Sequence, residues 1–111
     1  MVEVKFHAYP DGRFGMTVSG HAGFAARGQD IVCAAVSILT LTAVQAAQQL
    51  YLRGALKQLP ETVLEEGFAR VQLCPKPPFR RQARQALETV RTGMELLAQS
   101  HPQHVRLKGR I

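Results

Sequence analysis

Ile31 to Leu50 is a run of twenty residues without one charged side chain. A segment of that length and apolarity must be surrounded by protein or by lipid, so it limits what the remainder of the chain can do. Ser37, Thr40, Thr42, Gln45, Gln48 and Gln49 interrupt it. It therefore falls short of the 18 or more consecutive apolar residues expected of a membrane span, and a buried helix in a soluble protein, with no membrane partner, is the expectation. Asp30 stands immediately before the run, where a short carboxylate accepts from amides two or three residues on, the position of a helix N-cap. Because the helix is apolar nearly all round, it should be covered on several sides.

The flanking segments supply the cover. Val2, Val4 and Phe6 alternate with Glu3, Lys5 and His7, the period of a half-buried strand, and Tyr9-Pro10-Asp11-Gly12 reads as a turn. Phe14, Met16 and Val18 alternate with Gly15, Thr17 and Ser19 to complete a hairpin that ends at Gly20. Glu61 to Glu66 and Phe68 to Cys74 flank Gly67 as a second hairpin, stopped by Pro75, Pro77 and Pro78. From Phe79 the apolar positions become Ala83, Leu87, Val90, Met94 and Leu97, one stripe of an amphipathic helix. His101-Pro102 ends it, and Val105 to Lys108 forms a closing strand. The order β-β-α-β-β-α-β predicts an α+β fold, a two-layer arrangement of a mainly antiparallel sheet with two helices, in a single domain over residues 1–111.

Two cysteines, Cys33 and Cys74, lie far apart in a chain that opens without a basic, apolar leader. Both thiols are expected free and the location cytoplasmic. The net charge of +6 is uneven, with ten Lys/Arg against five Asp/Glu in residues 56–111.

Cys33 falls in the first turn of the apolar helix, where unfilled amides carry partial positive charge and favour a thiolate. A histidine close by would favour it further and could return a proton to a departing amine. His21, at a strand end, fits that role if the small-residue loop Ala22 to Gln29 arches over the pair. Ala34 and Ala35 leave room for a substrate backbone, and Ser37 lies one turn beyond Cys33 on the same face. Amides at Cys33 and its neighbours could steady a tetrahedral oxyanion. Asp30 is pulled two ways, between capping the helix and orienting His21. Each residue also has a plain structural reading: Cys33 as a small core hydrophobe, His21 as a strand cap, Asp30 as an N-cap, Ser37 bonding back to its own turn.

The string SGHAGFAARGQDIVCAAVS, residues 19–37, resembles the Gly-His-Ala, loop, Gly-x-Asp-Ile/Leu-Val-Cys-Ala pattern of the ribosomal-processing cysteine protease family, Prp. The resemblance implies a cysteine endopeptidase, needing no cofactor, that removes a short N-terminal extension from a large-subunit ribosomal protein by cutting beside aromatic residues. It implies Cys33 as nucleophile, His21 as general base and acid, Asp30 and Ser37 as supporting residues, and a homodimer. Gly23, Phe24, Arg27, Gly28 and Gln29 become the loop that admits the substrate. Since a ribosomal protein is itself cationic, a +6 enzyme gains nothing from bulk attraction, and recognition should rest on apolar pockets.

Two other readings compete. Lys76, Arg80, Arg81, Arg84 and Arg91 cluster at the start of the second helix, with Arg80, Arg84 and Arg91 on one face, the electrostatic footprint of a non-catalytic ribosome- or RNA-binding module. Glu88 is placed to pair with Arg84. His101 and His104 are three apart, and His7, His21, Cys33 and Cys74 could be recruited as metal ligands, yet no Cys-x-x-Cys or His-Glu-x-x-His spacing exists, so no metal is expected.

Overall fold

The structure, a computed structural model, describes residues 1–23, 25–26 and 30–111. Seven main elements follow in the predicted order: β1 (Val2–Ala8), β2 (Phe14–Gly20), α1 (Ile31–Leu52), β3 (Glu61–Glu65), β4 (Phe68–Leu73), α2 (Arg80–Ser100) and β5 (Val105–Gly109), with a 3-10 turn at Pro77–Phe79 leading into α2. The strands form one sheet in the order β3-β4-β2-β1-β5. Both hairpins pair antiparallel, as does β2 with β4, whereas β5 runs parallel to β1 with Val2 opposite Val105. That parallel pairing follows from α2, which carries the chain back along the sheet before β5 begins.

Alternation decides which sheet face is covered. Val2, Val4 and Phe6 of β1, Phe14, Met16 and Val18 of β2, and Val71 and Leu73 of β4 are buried and join one core with Val32, Val36, Ala43, Val44, Ala47 and Leu50 of α1. The predicted stripe of α2 packs on the same core, with Ala83, Leu87, Val90 and Met94 buried and Leu97 partly so. The two helices approach closely at Gly93, where an added β-carbon would lie 2.7 Å from Leu39 Cδ2.

The expectation that α1 is covered on several sides does not hold. Its buried residues lie along one flank, while Ile31, Ile38, Leu41 and Leu52 are exposed, Ile38 by 61%. A two-layer fold offers the helix only the sheet below and α2 beside it, so its outer side stays open. α1 is long and apolar enough to cross a membrane, but here it forms part of the helical layer over the sheet.

Gly20 sets the path out of β2. Its φ of +91° lies in the left-handed region, and an added β-carbon would meet the Met1 carbonyl oxygen at 2.4 Å. Only glycine lets the chain turn across the end of β1 at such range. Replacing Gly20 with Ala is expected to lower stability by about 1–3 kcal/mol through backbone strain and the clash, read as a lower urea midpoint with unchanged slope.

Candidate active site

Asp30, at φ −82° and ψ 99°, is the N-cap of α1, and its Oδ1 accepts from the Cys33 N–H at 2.9 Å. The carboxylate is thus engaged as a helix cap. The same interaction corrects the expected oxyanion donors: the Cys33 amide donates to the Asp30 side chain and the Ala34 amide to the Asp30 carbonyl at 3.0 Å. Both donors are already occupied.

The cap places the Cys33 side chain half-buried in the first helical turn, packed partly against the core. Its sulfur accepts a hydrogen bond from the Ala22 N–H at 3.3 Å. This contact joins the segment leaving β2 to the start of α1, and an N–H aimed at sulfur stabilises negative charge there. Both cysteines are free, and Cys74 is buried.

His21 and Cys33 line the same cleft of about 330 Å³, with Ser37 and Thr40 of α1 on one side and Leu64 to Ala69 of the β3–β4 hairpin on the other. A neighbouring hollow of about 580 Å³ again contains His21, Cys33 and Ser37, together with Gly23, Asp30 and Ala34. The structure therefore brings together the four predicted site residues. Ser37 is exposed, and among the described residues no hydrogen bond joins it, or the His21 ring, to the sulfur. The His21 ring rests on the β3–β4 turn, where a β-carbon added to Gly67 would lie 3.1 Å from Nε2. Gly23, exposed at φ +68°, lines the hollow, whereas Phe24, Arg27, Gly28 and Gln29 lie outside the described residues.

Two contributors escaped the linear reading. Gly67 has a φ of +74°, seats the histidine ring, and accepts the Gly20 N–H at its carbonyl at 2.9 Å, fastening the hairpin tip to the end of β2. Its glycine was legible only as a turn. His104, weighed as a metal ligand, instead uses Nδ1 to donate to the Ala22 carbonyl at 2.9 Å. No spacing could reveal a partner so far away in sequence. His101 Nδ1 meets Ser100 Oγ at 2.9 Å, and no group of three or more His, Cys, Asp or Glu able to hold a metal is found among the described residues.

The basic cluster is smaller than its sequence suggests. Arg91 is buried and donates through Nε and Nη2 to the Gly109 carbonyl at 3.2 and 3.1 Å, with Glu95 3.6 Å away. Arg84 donates to the Ile111 carbonyl instead of pairing with Glu88. Lys76, Arg80, Arg81 and Arg84 remain exposed.

A half-buried thiol at a capped helix terminus shares an open cleft with an imidazole on a two-layer α+β scaffold, the two kinds of group that thiol-dependent hydrolysis uses. The family described as cysteine protease Prp matches residues 1–106, and the chain belongs to that family, whose members hydrolyse peptide bonds. No match arises among curated proteins. Among solved structures, the chain is similar to the essential ribosomal processing protease Prp from S. aureus with a covalently linked product peptide, at TM-score 0.76 and 20% identity, covering 99% of this chain and 100% of that one. The same S. aureus protease with a substrate peptide gives TM-score 0.68, 19% identity and the same coverages. SMU.848 from Streptococcus mutans gives 0.67 and 24%, over 99% of this chain and 94% of that one.

The cap contact yields a direct test. Asp30→Ala should cost about 1 kcal/mol of stability, with Asp30→Asn keeping most of it, because the amide oxygen still accepts from the Cys33 N–H. Chemical denaturation of the three proteins measures it.

Proposed function

We propose that the protein is a cytoplasmic cysteine endopeptidase that removes a short N-terminal extension from a large-subunit ribosomal protein, with Cys33 as nucleophile and His21 as general base and acid. One observation carries the reading: in a chain of the Prp family, the Cys33 sulfur stands at the mouth of α1, accepts the Ala22 N–H, and opens onto the cleft that holds His21.

In the reaction, His21 takes the thiol proton and the sulfur attacks the scissile carbonyl carbon, pushing the carbonyl electrons onto oxygen. The tetrahedral species collapses, the C–N bond breaks, and the imidazolium delivers its proton to the leaving amine. The acyl group is left on sulfur. Water, deprotonated by His21, then attacks the thioester, releasing the carboxylate product and restoring the thiol. Among the described residues the His21 ring leans on Gly67 and makes no hydrogen bond to sulfur, so substrate binding must swing it towards Cys33. Hydrogen bonds of this kind commonly tighten only in the substrate complex.

The cleft suits the proposed substrate through its walls. Val18 and Val36 at the floor and Leu41, Leu64 and Phe68 around it form an apolar surface fit for aromatic side chains beside the cut bond. This agrees with recognition by apolar pockets rather than by overall charge. The assembly we propose is a homodimer, supported by the exposed Ile31 and Ile38 on the outer side of α1, apolar side chains of the sort that interfaces cover.

Incubation with the host's ribosomal-protein precursor tests the activity. Cys33→Ala and His21→Ala should each lower cleavage by at least about 10³-fold, and wild-type cleavage should persist in a strong chelator. Undiminished processing by either variant would refute the assignment. For the assembly, light scattering of Ile38→Glu should report a monomer where the parent protein is a dimer.

A further inference from the structure

We infer that His104 is a positioning residue for the nucleophile: its imidazole holds the Ala22 carbonyl, in the peptide that follows, so that the Ala22 N–H stays aimed at the Cys33 sulfur. The inference rests on the proposed role of Cys33 and extends the site to the far edge of the sheet. His104 Nδ1 lies 2.9 Å from the Ala22 carbonyl oxygen, and the Ala22 N–H lies 3.3 Å from the sulfur. A carbonyl oxygen can only accept, so Nδ1 carries the proton. Ala22 is only 1% exposed, so water does not readily replace this donor, and losing it would leave a buried carbonyl unsatisfied.

His104 is itself held. Its N–H donates to the His101 carbonyl at 2.9 Å and its carbonyl accepts from Val2 N–H at 2.8 Å, which locks its backbone between the end of α2 and the start of β1. On the other side of Ala22, the Met1 amino group donates to the His21 carbonyl. The His21-Ala22-Gly23 backbone is thereby gripped at both carbonyls. With its own peptide held at the His21 carbonyl and the next one at the Ala22 carbonyl, the Ala22 N–H meets developing charge on sulfur without first having to reorient, the advantage of a preorganised donor.

A role limited to satisfying the buried carbonyl would change stability and leave the reactivity of the folded thiol alone. Iodoacetamide alkylation of Cys33, quantified at that residue by mass spectrometry across a pH series, separates the two, with thermal melting as the check on folding. His104→Asn puts an amide N–H near the place of Nδ1, whereas His104→Gln carries its amide farther out. His104→Leu removes the donor. We expect alkylation at neutral pH to fall about tenfold in the Leu and Gln variants, the scale of losing one charge-assisted hydrogen bond. Their rate profiles should move to higher pH, and the Asn variant should stay within about twofold of the parent. Equal rates and profiles in the folded variants would overturn the proposal. Should His104→Leu not fold, the Asn and Gln pair decides: Asn faster than Gln supports it, and equal rates sink it. Alkylation needs no substrate, so failure to cleave the ribosomal precursor would remove the proposed substrate and leave this inference standing. Intact cleavage with alkylation indifferent to residue 104 would do the reverse.

Discussion

The site depends on how the chain leaves β2. At Gly20 the backbone enters the left-handed region and passes so near the Met1 carbonyl that no side chain fits. From that turn three contacts follow: the Gly20 N–H ties to Gly67 in the β3–β4 turn, the His21 carbonyl receives the Met1 amino group, and the Ala22 carbonyl receives His104. A histidine and a sulfur donor are thereby fixed at the sheet end over which α1 begins. Were the strand to run on straight, the Ala22 N–H would not meet the sulfur and His21 would not line its cleft.

The second constraint is the cap. Asp30 ends the loop with an extended backbone and holds the Cys33 N–H, which sets the helical register and with it the direction of the thiol. The cap and the thiol then share one short stretch of backbone. The helix start supplies a favourable field for anionic sulfur, while the Ala22 N–H supplies a specific donor to it. The capping carboxylate sets a negative group beside the same turn, so the Ala22 N–H is the donor that faces the sulfur directly.

The fold was largely legible because the two periodicities were clean. Alternation in Val2 to Phe6 and Phe14 to Val18, and the stripe from Ala83 to Leu97, each match observed burial, since a two-layer fold exposes one face of every strand and one side of every helix. The parallel placing of β5 beside β1 was not legible, because a hairpin announces its own partner and a strand arriving after a long helix does not. The open side of α1 was not legible either: an apolar helix has the same sequence pattern whether its outer side is covered by the fold or left exposed. Arg91 shows the opposite error. Its place in a cationic run suggested surface, yet the long side chain turns inward to the Gly109 carbonyl, where a fork of N–H groups meets a strand end.

By itself the sequence determined the chemistry available and much of its local staging: a cysteine three residues after a capping aspartate, a histidine directly after a strand-ending glycine, and small residues between them. These are effects of neighbours along the chain, and neighbours are what a sequence displays. Only the tertiary structure decided that the β3–β4 turn would form the wall on which His21 rests, that α1 would keep one apolar side open, and that His104, 82 residues from Ala22, would hold the carbonyl of the residue whose N–H faces the sulfur. Those contacts arise where separate elements meet at one end of the strands, and their geometry belongs to the packing of the elements, which no spacing along a single chain encodes.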